Sequence, residues 1–334
     1  MERSKDIYKN SGQNEHVLNR PDMYIGSIES NSREEWTIKD GNTNVYEKKK
    51  ITVPLGLEKI FIEIINNAYD NIIDTRNMNR KVSPKDRLDP GDVQIYINEE
   101  SVVVISKGRP MPIEMTTDKD GNSYWVPGMA FGLLLTSTNF IDDRDGTTGT
   151  NGIGSKAANI YSSVFKVQVF NHLSGKTYEQ TWYENMSSSS EPIVKKVKNM
   201  KESKIIISYK VDFSRFNGTE SYVDQECIEL FRCNASDLAF NAETDVTYNF
   251  MDTPFDEDYD PSSIVDFEPL EVNKYSSMDI LDYAKMYVPN MTDNYIIYYK
   301  WPTGVKVTKS KNGTETPQKK FEGILPEYQI IIID

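Results

Sequence analysis

The sequence predicts an α+β fold, with helices laid over one face of a mainly antiparallel sheet. Three observations carry this. Leu57, Ile60, Phe61, Ile64, Ala68 and Ile72 recur at three- and four-residue steps, the period of one long amphipathic helix over residues 57–76. Residues 93–98 and 102–106 are β-rich runs around Glu99-Glu100-Ser101, which reads as a hairpin. Three more strand-like runs follow at 164–171, 176–183 and 204–211, the first two joined by Leu173-Ser174-Gly175.

In chain order, residues 1–30 read as an arm leading into a short helix and turn. The long helix and the hairpin come next. A glycine-rich stretch at 146–156 opens a further helix toward Tyr161, and the three later strands complete the sheet. Residues 252–260, Asp-Thr-Pro-Phe-Asp-Glu-Asp-Tyr-Asp, are acidic, carry a proline and lack periodicity, so they mark a linker or exposed loop. The expected division is therefore 1–30, 31–250 and 251–334. The last part holds a helical pattern near 277–288 and strands near 295–300, 304–308 and 328–333. A closing run as apolar as Ile330-Ile331-Ile332-Ile333 predicts that the chain stops partway through its second domain. There is no internal repeat.

The 334 residues allow two domains. With 38% hydrophobic and 11% aromatic residues, sizeable cores can form. No run approaches the roughly 18 apolar residues of a membrane span, and the first residues lack the apolar core of a secretory signal. Cys227 and Cys233 read as reduced packing residues of an intracellular protein. His16 and His172 are far apart and give no zinc pattern. The net charge of −13 argues against a chain whose main task is gripping nucleic acid, so any such contact is expected to be local or made by a partner.

Glu63, Asn67, Asn71 and Asp74 lie at steps of four, four and three, opposite the apolar stripe. A carboxylate beside a neutral amide oxygen suits a phosphate site. The carboxylate can orient and deprotonate a water, and the amide oxygen can bind magnesium. A solvated polar face is the plainer explanation of the same string. Residues 146–156, Gly-Thr-Thr-Gly-Thr-Asn-Gly-Ile-Gly-Ser-Lys, let the backbone turn its N–H groups toward an anion, with Lys156 one turn into the helix. Ser155 precedes Lys156, which is not the order of a Walker A loop. A flexible linker explains the glycines alone; with the acidic and amide helix some ninety residues earlier, the pair points to ATP.

Read together, these segments resemble the GHKL ATPases, and within them eukaryotic-type (cellular or large-virus) topoisomerase II. The run from Glu15 to Ser27, Glu-His-Val-Leu-Asn-Arg-Pro-Asp-Met-Tyr-Ile-Gly-Ser, resembles the opening signature of that family. Glu63-Ile64-Ile65-Asn66-Asn67-Ala68-Tyr69-Asp70-Asn71 resembles its first ATP motif. Val126-Pro127 and then Phe131 to Phe140 resemble the segment over the nucleotide, and Gly149 to Lys156 the phosphate lid loop. The text around Val211 to Phe216 resembles the family more weakly. The resemblance covers most of the first 235 residues in order.

It implies a GHKL (Bergerat) sandwich followed by a partial, transducer-like α/β domain, with ATP and Mg2+ as cofactors. Glu63 would be the general base, Asn67 the magnesium ligand, and Asn71 would help hold the nucleotide. Ser137, Thr138 and Asn139 would contact ribose and phosphates. Thr150, Asn151, Gly152, Ile153, Gly154, Ser155 and Lys156 would wrap the triphosphate, Lys156 meeting the γ-phosphate. Ser208 stands where the family has a pocket threonine, and Tyr8 resembles the arm tyrosine that reaches the other subunit's site. The implied partners are a second copy, in a homodimer closed by ATP, and duplex DNA through the full-length enzyme; no membrane is involved. The implied compartment is intracellular: nucleus, cytoplasm or viral factory. One motif departs. After the strand at 102–106 the text is Ser106-Lys107-Gly108-Arg109-Pro110-Met111-Pro112, with a proline for the second glycine and Ser106 near the adenine edge. No Gln-Thr-Lys loop is present; Gln318-Lys319-Lys320 is the nearest text and reads as a solvated charge run. The DNA-cleaving tyrosine and toprim domain are expected to lie outside this chain. The competing expectations are a nucleotide-responsive dimerisation module with little turnover, or another GHKL enzyme such as a mismatch-repair ATPase or heat-shock chaperone.

Overall fold

The computed structural model describes residues 12–38, 45–117, 121–134, 153–222, 225–250, 272–273, 278–287, 296–300, 306–309, 315–318 and 329–333. Two compact units divide the chain: Met1–Ile38 with Lys48–Ser277, and Lys39–Glu47 with Met278–Asp334. The acidic run at 252–260 lies outside the described residues.

The first unit opens with α1 (Gln13–Asn19) and a 3-10 turn at Pro21–Met23. Next come β1 (Arg33–Ile38), β2 (Tyr46–Ile51), whose first two residues fall to the second unit, and the long helix α2 (Leu55–Asn79). The hairpin β3 (Val93–Ile97) and β4 (Ser101–Lys107) follows, then the small pair β5 (Met115–Thr117) and β6 (Ser123–Trp125) and the helix α3 (Val126–Gly132). After α4 (Gly154–Ile160) run β7 (Ser162–Asn171), β8 (Lys176–Tyr183), β9 (Ser188–Ser189), β10 (Ile193–Lys196) and β11 (Lys204–Val211). The unit closes with α5 (Gln225–Ala242), β12 (Val246–Phe250) and β13 (Val272–Asn273).

One sheet of nine strands organises it, in the order β10-β8-β7-β11-β4-β3-β12-β13, with β9 on β8. Every pairing is antiparallel except β12 on β3, which is parallel and returns through α5. The expected hairpin and the three later strands are all present, at nearly the expected residues. The long helix is longer at both ends than its apolar period shows. Pro54 sits at its N-cap, and its last turn is held by Arg76, which donates to the carbonyls of Ala242 and Glu243.

The pleat sorts the sheet into two faces. Val102, Val104 and Ser106 share a face with Ile205, Ile207 and Tyr209 across the ladder, and those with Val169, Val167 and Phe165. This is the helix side. Tyr178, Gln180 and Trp182 on the same face lie directly under Gly128 and Gly132 of α3, which leave no room for a Cβ. The α2–α5 layer is held by Phe61 stacked on Phe231, ring centroids 4.2 Å apart and planes 1° from parallel, with Tyr222 against Phe231. The other face carries a smaller cluster of Tyr96, Val103, Ile105 and Ile206, with Phe170 packed beside it.

The second unit contains α6 (Ile280–Tyr287) and strands β14 (Ile296–Lys300), β15 (Lys306–Lys309), β16 (Glu315–Gln318) and β17 (Gln329–Ile333). β14 pairs with β17, and β15 with β16, both antiparallel. Tyr46 packs edge-on against Tyr283 and Tyr287 of α6. Among the described residues no helix is long and apolar enough to cross a membrane.

Because Phe61 and Phe231 are both fully buried, Phe231→Ala should cost about 3–5 kcal/mol through lost burial and the cavity left behind. Urea unfolding of the two chains measures this directly.

Candidate functional site

The site is built on α2, whose apolar stripe faces the core and whose flank carries Glu63, Asn67 and Asn71. Glu63 is half-buried and Asn67, one turn on, is exposed. Both oxygens of Glu63 are located. Its Oε1 meets Lys59 Nζ at 2.6 Å, an i,i+4 pair on the same helix. Its Oε2 rests on the backbone of Gly154, the first residue of α4. A Cβ at Gly154 would lie 2.6 Å from Glu63 Cδ and nearer still to Oε2, so glycine alone allows this approach. Two segments ninety residues apart in sequence thus meet where the carboxylate is.

The far end of the helix receives the β3–β4 hairpin exit. Asn71 Nδ2 donates to the Lys107 carbonyl at 3.0 Å, and Thr75 Oγ1 accepts from the Arg109 N–H at 2.8 Å while donating to the Asn71 carbonyl. Arg109 pairs with Asp74 at 3.0 Å. Gly108 has φ +124°, and a Cβ there would press on Thr75 Oγ1, Pro90 O and Asn71 Nδ2, so both conformation and space demand glycine. Pro110 in place of the second glycine leaves this docking intact. Ser106 is buried on the helix side, while Lys107 points to the opposite face and pairs with Asp92.

Among the expected binding residues, Ile153 caps α4, and Gly154, Ser155 and Lys156 form its first turn. Lys156 is only 1% exposed, and burial pulls its ammonium down from the usual 10.5 to about 8. Asn159, further along α4, donates to the Phe131 carbonyl and ties the helix to α3. Tyr8, Ser137, Thr138, Asn139, Thr150, Asn151 and Gly152 lie outside the described residues.

Ser208 is placed differently from expectation. Ile205 is opposite Ser106, and Ser208 is opposite Val103 with no bulge between. An offset of three residues along a strand reverses the face, so Ser208 sits on the side of the sheet away from α2, buried, its hydroxyl without a hydrogen-bond partner among the described residues. The helix-side position nearest Ser106 on that strand is Ile205. Two contributors went unforeseen. Lys59 was signalled by its four-residue step before Glu63. Thr75 had no signal, because its role exists only once the Gly108 turn docks on α2.

The burial of Lys156 fixes a pH dependence. Its folded value lies below its unfolded one, so the folded chain carries a desolvated ammonium at neutral pH; that cost is present below about 8 and is relieved as pH rises toward the unfolded value. Lys156→Met should remove this pH dependence, so the stability of the variant relative to the original chain should fall as pH rises through about 8. Thermal unfolding at pH 7 and pH 9.5 reads the change; a difference that stays constant or grows in the variant's favour would refute it.

No family model matches the chain. It is 34% identical over 238 residues to DNA topoisomerase 2 of Candida albicans, a stretch that is 70% of this chain and 15% of that protein. DNA topoisomerase 2 of Plasmodium falciparum is 36% identical over 255 residues, 75% of this chain and 17% of that protein. The chain thus spans only about 15% of the length of the curated relatives it matches. Among solved structures it is similar to the ATPase region of Saccharomyces cerevisiae topoisomerase II, with a TM-score of 0.70 and 27% identity, covering 91% of this chain and 72% of that one. The ATPase and transducer domains of DNA topoisomerase II from Balamuthia mandrillaris give a TM-score of 0.69 and 25% identity, covering 88% and 66%. The helix-on-sheet fold agrees with these likenesses, and the chain belongs with the ATPase region of the eukaryotic-type DNA topoisomerase II family.

Proposed function

We propose that this chain is the ATP-binding and hydrolysing module of a type II DNA topoisomerase, in which ATP binding closes a homodimer gate and hydrolysis resets it while a DNA duplex passes. The observation that carries the reading is the contact of the Glu63 carboxylate with the Gly154 backbone. It puts a base beside the first residue of α4, where the glycine-rich stretch 146–156 ends, a sequence suited to turning backbone N–H groups toward phosphates.

In this reading Glu63 orients a water and takes its proton, while Lys59, on Oε1, keeps the carboxylate aimed. Asn67, exposed one turn along α2, offers an amide oxygen to magnesium. Such an ion would be held by one protein oxygen, phosphate oxygens and water. Bound magnesium would neutralise phosphate charge. Asn71 and the Gly108 turn define the base-side wall, with Ser106 at the adenine edge. Lys156 supplies positive charge to the terminal phosphate, and the anion would in turn offset the cost of its burial. Ser137, Thr138, Asn139, Thr150, Asn151 and Gly152 belong to the same reading as ribose and phosphate contacts, and Tyr8 as the arm residue exchanged between subunits. Residues 1–30 are then the arm, 31–250 the ATPase domain and 251–334 part of a transducer, acting inside the cell on duplex DNA through the complete enzyme.

Two substitutions separate the roles. Glu63→Gln should abolish hydrolysis and leave ATP binding within a few-fold; unchanged turnover would remove Glu63 as the base. Gly154→Ala should displace the carboxylate without unfolding the chain, lowering turnover by about 10²-fold at near-normal affinity. Single-turnover hydrolysis and equilibrium nucleotide binding check both. Sedimentation with magnesium and a non-hydrolysable ATP analogue should shift the chain from monomer to dimer. Nucleotide binding with no such shift would refute gate closure by this chain.

A further inference from the structure

The sheet ends on an edge whose charge is opposite to that of the chain. Five of the ten residues from Lys195 to Lys204 are lysine, against the single acid Glu202, in a protein of net charge −13. Lys195 and Lys196 lie on β10, the last strand of the sheet, and Lys198 and Lys201 on the loop to β11; all four are exposed. None of the four forms an ion pair among the described residues, whereas neighbouring Lys107 and Lys166 are matched by Asp92 and Glu179. Lys196 is directly opposite Lys176 in the ladder, whose own ammonium donates to the Ile113 carbonyl at 3.2 Å. Lys204 lies over the Phe170 ring. Phe170 is opposite Thr177, and Thr177 opposite Lys195, so Lys204 and Lys195 stand on one face three strand spacings apart, about 14 Å.

One or two lysines are enough to keep a sheet edge from pairing with another chain. A concentration of five within ten residues goes beyond that need. A rigid sheet holding unpaired cations at fixed spacing suits a stiff polyanion, and the span from Lys204 to Lys195 is close to the ~12 Å width of a duplex major groove between its two backbones. We propose that this edge, formed by Lys195, Lys196, Lys198, Lys201 and Lys204, is a local contact surface for the phosphate backbone of duplex DNA, sequence-independent and separate from the nucleotide site. It rests on the reading of the chain as part of a DNA-passing enzyme and names a surface through which this chain itself meets the duplex.

The test is fluorescence anisotropy of a short labelled duplex across a salt series, with the wild-type chain and a K195Q/K196Q/K198Q/K201Q variant, no nucleotide present. Binding should weaken at least tenfold at low salt in the variant. The slope of log affinity against log salt should fall in magnitude by about 3–4, at roughly 0.9 for each phosphate that the variant no longer neutralises. An unchanged slope, or a wild-type chain that does not bind duplex at low salt, would overturn the proposal. So would a variant that aggregates while its DNA binding stays as before, which would make the lysines an edge guard. Competition by polyglutamate as effective as by DNA of equal charge would also overturn it and assign the edge to acidic polypeptides. Binding of an ATP analogue should be equal in the two chains. Failure of the wild-type chain to bind that analogue would sink the ATPase reading alone, because the DNA measurement is made without nucleotide.

Discussion

How closely α4 can approach α2 is the constraint on which the site depends. The approach is set at a single residue, Gly154, whose missing side chain is the space that Glu63 occupies. Everything around it keeps the two helices in place. α2 is pinned from one side by the Phe61–Phe231 stack and at its C-terminal end by Arg76 on the last carbonyls of α5. α4 is pinned by Asn159 on the Phe131 carbonyl and runs straight into β7, in the middle of the sheet. The carboxylate is thereby placed by backbone approach on one oxygen and by the Lys59 ammonium on the other, an arrangement that suits the water-aiming role proposed for it.

The same packing exacts a cost at Lys156. A lysine one turn inside α4 that was mostly exposed would keep its ordinary affinity for protons and would meet a phosphate only after shedding water. Burial removes that water in advance and leaves a cation whose charged form is poorly solvated. In the proposed role, that cost would be the counterpart of a stronger interaction with an incoming anion, since both arise from the same low local dielectric.

Much of this is legible in the sequence, for identifiable reasons. A helix repeats its faces every three to four residues, so Glu63, Asn67 and Asn71 are recognisable as one row from their spacing alone, and Lys59 extends that row. Strands are less forgiving. Ser208 occupies the right strand, yet an offset of three residues turns its side chain to the other face, and no resemblance of short motifs reports that parity. β2 escapes notice because Glu47, Lys48, Lys49 and Lys50 are all charged. α5 does so because Glu229 and Ser236 interrupt its buried stripe. Glu229 is tolerable inside only because Lys49 and Gln225 reach it, and the pairing of Lys49 with Glu229 spans 180 residues, which local periodicity cannot contain.

The charge balance resolves in the same terms. A net charge of −13 describes the sum over the whole surface, while a polyanion approaching to within a Debye length, about 8 Å at physiological salt, responds only to the charges nearest it. Acidic residues of the described chain are drawn into pairs where lysines adjoin them, as at Lys107 with Asp92 and Glu202 and at Lys210 with Glu100. At the β10 edge Glu179 and Glu202 are taken by Lys166 and Lys107, and Lys195, Lys196, Lys198 and Lys201 form no ion pair among the described residues, so a positive field survives locally in an acidic protein.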